Sequence, residues 1–274
     1  MPIRICIAGV TGWTGQAVAR AVLGAPAFAL TGAIARQHAG QDVGTVLGQP
    51  PMHVLISPTL EALDAPFDVL IDFTGPESVR ERTMQALERG GRVVIGTSGL
   101  TEEDYGEIGR RARQRGVGVV AAGNFSLTAA LAKHFALVAA RYLPSWEIID
   151  YAHAHKPDAP SGTTRELAEQ LAHIRQNYLA VPVGQTHGER AARGALVGGT
   201  PVHSVRLPGY TLAFETLFGL PDERLTIRHD AGSGAAPYVQ GTLLAAERVM
   251  HLSGLTRGLD TLLFGPVGNL SEAL

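Results

Sequence analysis

One cysteine in 274 residues, Cys6, removes the intrachain disulfide from the means by which this chain could be held together. Nothing therefore asks for an oxidising compartment, and within Ile3-Arg4-Ile5-Cys6-Ile7-Ala8 the thiol reads as a buried small hydrophobe. Excess charge is missing as well. With 23 Lys and Arg against 25 Asp and Glu the formal net charge is −2, and no basic run occurs, so a nucleic-acid partner is not expected. No apolar segment approaches the length that spans a bilayer, and the strand-like start shows neither a basic region, a leader-like run nor a cleavage site. A cytoplasmic protein with no membrane partner is the expectation. No set of His, Cys and acids has convincing ligand spacing, so no metal is expected either. What remains, 45% apolar and 18% charged, is a globular composition long enough for two ordinary domains.

The hydrophobic pattern divides the chain. Over the first 122 residues strand runs at 3–8, 28–35, 69–73, 93–95 and 117–121 alternate with helical runs at 12–23, 77–89 and 102–115. Short apolar strands separated by helices predict a parallel, doubly wound Rossmann-type sheet. From Asn124 the rhythm changes to a helix over 127–141, a strand over 146–151, a helix after Thr163, a glycine-rich span over 184–199, and strand runs at 202–207, 211–218 and 224–228. The last three have no helices between them, which predicts an α+β domain with a mixed or antiparallel sheet. The stretch from Tyr238 through Ser253 and onward reads as helical. The expected domains are 1–123 with 238–274, for dinucleotide binding, and 124–237, for substrate binding and oligomerisation.

Gly9-Val10-Thr11-Gly12-Trp13-Thr14-Gly15 follows the first strand and opens a helix, the context in which a glycine pattern signals a dinucleotide. Gly9 suits the tight turn, Gly12 the approach to a pyrophosphate, and Gly15 close helix–strand packing. The second strand ends at Ala35-Arg36-Gln37 without the acid that holds ribose hydroxyls in NAD-preferring proteins. Arg36 could instead pair with a 2′-phosphate, so NADPH is the expected cofactor, with NADH possible. Further strand ends, Asp72-Phe73-Thr74 and Gly96-Thr97-Ser98, offer small or hydroxylic residues that can lie under a nicotinamide ribose. Asp72 itself reads as a structural hydrogen-bond acceptor.

The most informative stretch is His153-Ala154-His155-Lys156-Pro157-Asp158-Ala159-Pro160-Ser161-Gly162-Thr163, which sets proton-active groups beside a small-residue turn at a helix start. Ser161, Gly162 and Thr163 can offer N–H donors to a substrate carboxylate. Lys156 is the best acid, able to stay protonated near neutrality, with His155 a second catalytic candidate. His153 and His155 alternate along what reads as an extended run, sharing one face, and both also suit structural packing.

Together with Asn124-Phe125-Ser126, Gly188-Glu189-Arg190 and His203-Ser204-Val205-Arg206, these segments resemble the dihydrodipicolinate reductase family along essentially the whole chain. The Lys-x-Asp-Ala-Pro-Ser-Gly-Thr run carries the resemblance most specifically. It implies a two-domain, usually homotetrameric enzyme of lysine and diaminopimelate synthesis that reduces a dihydrodipicolinate-type cyclic imine with NADH or NADPH. By resemblance, Gly9, Val10, Thr11, Gly12, Trp13, Thr14, Arg36, Gly96, Thr97, Ser98, Ala122, Gly123, Asn124 and Phe125 would hold cofactor. Lys156 would donate a proton, and His153, Gly162 and Thr163 would bind substrate. Four departures stand out: Ala152 where the family commonly has an acid–base histidine, Trp13 for an arginine, only small residues over 231–237, and Ala213-Phe214 for His-Gln. They leave two alternatives open: an imine reductase or amine dehydrogenase acting on a less acidic substrate, and a catalytically silent NADPH-binding protein.

Overall fold

The computed structural model describes residues 1–267. In chain order the elements are β1 (Ile3–Ala8), α1 (Trp13–Gly24), β2 (Phe28–Ile34), α2 (Val43–Val46), β3 (Ile56–Ser57), β4 (Val69–Asp72), α3 (Pro76–Glu88), β5 (Arg92–Ile95), α4 (Glu102–Arg115) and β6 (Gly118–Ala121). There follow α5 (Leu127–Ala140), β7 (Ser145–Ala152), α6 (Gly162–Ile174), β8 (Ala195–Val197), β9 (Thr200–Arg206), β10 (Leu212–Leu220), β11 (Glu223–Ala231), α7 (Ala236–Arg248), β12 (Gly254–Arg257) and α8 (Leu259–Phe264). The contacts separate two compact units, one of Met1–Leu127 with Ala235–Leu262, the other built on Thr128–Gly234.

The first unit is a seven-stranded sheet in the order β12-β6-β5-β4-β1-β2-β3. Every pairing in it is parallel. Ile5, Cys6, Ile7 and Ala8 are all fully buried, the unbroken apolar run of a strand covered on both faces. The chain winds outward from β1 to β2 in one direction and from β4 through β5 to β6 in the other. Right-handed crossovers therefore place α1 and the α3–α4 pair on opposite faces, and β1 and β4 flank the switch point. Local chemistry sets the helix ends. Thr101 accepts the Asp104 N–H at 3.2 Å while the Asp104 carboxylate accepts the Thr101 N–H at 2.8 Å, a capping box that starts α4. Gly116, at φ 66°, ends it in the left-handed region.

The second unit is a five-stranded mixed sheet, β11-β10-β7-β9-β8. β7 and β9 run parallel across the α6 crossover, and the other pairings are antiparallel. One face packs on α5 and α6 through Trp146, Ile148, Phe214 and Phe218 against Ala132, Ala136, Leu167 and Leu171. The alternation of β7 shows why: Trp146, Ile148, Asp150 and Ala152 are buried, and the residues between them are half-buried.

Two expectations change at the C-terminal end. The helical run stops at α7 and a short 3-10 turn over Val249–His251. Gly254, at φ 87°, then turns the chain so that its N–H reaches the Val117 carbonyl at 2.9 Å, and β12 pairs with β6. Helix gives way to strand because β6 offers an unpaired edge. Residues 263–267, expected in the dinucleotide unit, belong to the second: the Phe264 ring lies 4.3 Å from that of His134, and Val267 packs on the α5–α6 core. Residues 268–274 of that expected domain lie outside the described residues.

Candidate active site

Because the first sheet is parallel, the segments after β1, β2, β4, β5 and β6 all emerge at its carboxyl edge, and the glycine corner sits at the switch point. Gly9 has φ 82°, and a β-carbon there would overlap the Phe73 carbonyl; one at Gly15 would overlap the carbonyl of Gly9. Gly12 is exposed and extended at the start of α1, whose first turn carries no acid to repel a phosphate. A donor-rich turn without side chains, leading into a helix N-terminus without a carboxylate, fits a dinucleotide pyrophosphate. Around it Thr11 and Thr14 are half-buried, and Trp13 is exposed with its ring edge-on to Tyr238 at 5.9 Å. Val10 is fully buried in the core, so its backbone alone is left for a ligand.

The neighbouring strand ends form a braced floor. Asp72 is fully buried and accepts from Thr74 Oγ1 at 2.6 Å, Thr97 Oγ1 at 2.8 Å and Arg82 Nη1 at 2.6 Å. It is the structural acceptor the sequence suggests, and the Thr74 and Thr97 hydroxyls expected under a ribose are spent on it. Sequence reasoning missed Arg82. Gly96 faces the Phe73 ring, which packs edge-on against Phe125 at 5.9 Å. Phe125 is 1% exposed, so its side chain is core, as is that of Ala122; Ser98 and Gly123 are exposed. Asn124 caps its own turn through Oδ1, which accepts the Ser126 N–H at 2.8 Å. Just past β2, Arg36 extends into solvent, its side chain 89% exposed, with Glu77 3.9 Å away.

In the second unit the stretch from His153 to Thr163 leaves β7 and bends sharply before α6. The extended run expected for the histidines is instead a turn, because the Lys156 N–H closes on the His153 carbonyl at 3.1 Å. His153 and His155 are exposed and no longer related by strand alternation. Lys156 is half-buried, with Nζ 2.6 Å from the Asp158 carboxylate. Gly162 and Thr163 open α6, at the positive end of the helix dipole.

Ser161 requires a correction. Its N–H, the donor expected for a substrate carboxylate, reaches Asp150 Oδ2 at 2.9 Å and its hydroxyl Asp150 Oδ1 at 2.6 Å, so both are committed within the protein. That is also why Ser161, at the N-cap, makes no capping bond. Asp150 is 1% exposed and also receives Thr164 Oγ1 at 3.1 Å, Ser204 Oγ at 3.3 Å and Arg206 Nη2 at 2.7 Å. Burial alone would raise its pKa; hydrogen bonds from Ser161 and Arg206 outweigh this and hold the carboxyl below the usual range. Sequence reasoning missed this network, although an acid on the inward face of a strand that alternates Trp146, Ile148, Asp150 and Ala152 was a readable signal. A second missed pair, Lys133 Nζ to Glu166 at 3.2 Å, ties α5 to the first turns of α6. Ala152 is fully buried at the end of β7. Among the described residues no helix is long and apolar enough to cross a membrane, and no group of three or more side chains could hold a metal ion.

A Rossmann-type unit with a glycine-built corner at its switch point, coupled in one chain to a mixed-sheet unit bearing a lysine beside a helix start, is the architecture of a dinucleotide-dependent oxidoreductase. The comparisons with known proteins narrow it. Models of dihydrodipicolinate reductase match in tandem, the N-terminus over residues 3–125 and the C-terminus over residues 125–263. The 4-hydroxy-tetrahydrodipicolinate reductase of Moorella thermoacetica is 40% identical over 263 residues, covering 95% of this chain and 98% of that protein. That of Synechococcus elongatus is 36% identical over 272 residues, covering 96% and 99%. The solved structure of a dipicolinate-bound dihydrodipicolinate reductase from Paenisporosarcina sp. TG-14 superposes with a TM-score of 0.79 at 32% identity, covering 96% of this chain and 100% of that one. The chain belongs to the dihydrodipicolinate reductase family and is an NAD(P)H-dependent reductase. An amine dehydrogenase from Mycobacterium smegmatis, at 16% identity and a TM-score of 0.65, shares the fold alone.

Proposed function

We propose that this reductase acts on the cyclic product of pyruvate and aspartate semialdehyde, converting it to tetrahydrodipicolinate in lysine and diaminopimelate synthesis. The observation that carries the proposal is the braced bend over 156–163, which holds an ammonium group and the opening of α6 within one short turn. A dicarboxylate substrate needs such an anion holder, and reduction of its double bond needs a proton donor. When bound, the reduced nicotinamide supplies the hydride. Gly162 and Thr163 orient a substrate carboxylate at the α6 N-terminus, with His153 at the edge of the turn as a further contact. Lys156 Nζ delivers the proton that quenches the charge left by reduction, and Asp158 holds that ammonium in place. His155, exposed on the same turn, is the second acid–base candidate.

NADPH is the preferred cofactor in this reading, supported by the exposed Arg36 fork and the lack of an acid after β2. Gly9 through Thr14, the turns after β4 and β5, and the Ala122–Phe125 segment line its place through their backbone. The sheet face turned away from α5 and α6 mixes Ile149, Leu217 and Leu196 with Glu147, His203 and Glu215, and a homotetramer follows the family. The enzyme works in the cytoplasm, its single thiol buried and unpaired.

The test is NADPH oxidation by the purified protein with freshly generated substrate, beside a panel of other cyclic imines and of ketone–amine pairs. Turnover with the dihydrodipicolinate-type substrate is expected. Activity confined to the panel would make the chain an imine reductase or amine dehydrogenase, and tight NADPH binding without any turnover would make it a silent binder.

A further inference from the structure

We infer that Asp150 and Arg206 are positioning residues, a buried carboxylate paired with a half-buried guanidinium that keeps the 156–163 bend in its substrate-holding shape. The inference rests on the proposal that Lys156, Gly162 and Thr163 meet the substrate.

The pair is tied to the bend at three places. Asp150 takes the N–H and hydroxyl of Ser161, which end the bend, and the Thr164 hydroxyl in the first turn of α6. Arg206 Nη2 spans from Asp150 Oδ2, at 2.7 Å, to the Asp158 carbonyl in the middle of the bend, at 2.6 Å. Asp158 in turn holds Lys156. Arg206 Nη1 returns to the carbonyls of Asp150 and Val205, at 3.3 and 3.0 Å, so the guanidinium is fixed to both β7 and β9. Strand, bend and helix start thus share one carboxylate and one fork.

A buried ion pair is a poor way to gain stability, since apolar residues of equal volume often do as well or better. What it does supply is direction: charge-assisted bonds have narrow geometry, and a guanidinium bridges two acceptors where an ammonium acts as a point charge. Arg206→Lys should therefore keep the charge facing Asp150 yet lose the span to Asp158. Asp150→Asn keeps the size and removes the charge that gathers the donors.

The experiment compares both variants with the wild-type enzyme for substrate KM and kcat, inhibition by pyridine-2,6-dicarboxylate, NADPH dissociation constant and Tm. In each variant KM and the inhibition constant should rise about tenfold or more, the scale of a lost charge-assisted hydrogen bond, while NADPH affinity stays unchanged. A merely structural pair would lower Tm and the amount of active enzyme but leave KM and the inhibition constant of the folded fraction alone. That result in either variant would overturn the inference. If the wild-type enzyme fails to turn over the substrate, the proposed function falls instead, and direct binding of the dicarboxylate to wild type and variants still decides the positioning role.

Discussion

After β1 the chain shapes a corner by leaving side chains out; before α6 it shapes one by burying a charged side chain. In the glycine corner, space is the constraint, because the Gly9 and Gly15 positions already abut the carbonyls of Phe73 and Gly9. Donors there are peptide groups, present whatever the side chains are. In the 156–163 bend, shape comes from hydrogen bonds that converge on Asp150 from segments distant in sequence. The first corner should tolerate changes of charge and fail on added volume. The second should tolerate small changes of volume and fail on lost charge or direction.

The largest effect is expected where volume enters the glycine corner. Gly15→Ala places a methyl group against backbone that cannot turn aside, and α1 must shift away from β1. We expect a cost on the order of 3 kcal/mol, as for overpacking elsewhere in protein interiors, with NADPH binding lost in parallel. Thermal unfolding and cofactor titration check it, and an unchanged NADPH dissociation constant would break the contrast between the two corners. Next is a side-chain effect at the other corner. Lys156→Ala should lower turnover about a hundredfold while leaving NADPH affinity unchanged, as expected for loss of a positioned proton donor. A parallel rise in the NADPH dissociation constant would make Lys156 a binding residue and remove the distinction between a chemical corner and a cofactor corner.

Much of this was legible because it is local. Glycine spacing, the strand before it and the helix after it lie within one short segment, so the first corner could be read from residue types and the period of apolar residues alone. The short elements α2, β3, β8 and β12 escaped because two to four residues hold no period; β12 exists only because β6 presents an edge to it. The error at Ser161 has a similar cause. Its position at a helix start points to a ligand, but the acceptor that takes both its donors stands eleven residues earlier in sequence, and only the β7–α6 packing brings it beneath the turn. Arg206 lies 56 residues beyond Asp150, and only the parallel pairing of β7 and β9 brings it to that carboxylate, so its residue type alone points to no role. The histidine alternation failed on a single backbone bond between Lys156 and His153, which converts strand geometry into a turn.

The two arginines sharpen the comparison from within. Arg206, its side chain only 16% exposed, bonds the Asp150 carboxylate and the Asp158 carbonyl, whereas Arg36, just past β2, is 89% exposed and only loosely paired with Glu77 at 3.9 Å. An exposed cation acts through a screened field and gives up side-chain freedom when it binds, so its effect should be the smaller one. Arg36→Ala should raise the NADPH dissociation constant about tenfold, leave that for NADH unchanged, and lose most of this difference at high salt. Glu77→Gln should act in the opposite sense, tightening NADPH, because the carboxylate competes for the same guanidinium. Fluorescence titration of both reduced cofactors at two ionic strengths reads all of these together. Equal or tighter binding of NADH by the wild-type protein would defeat the NADPH preference, and the first corner would then be made of backbone alone.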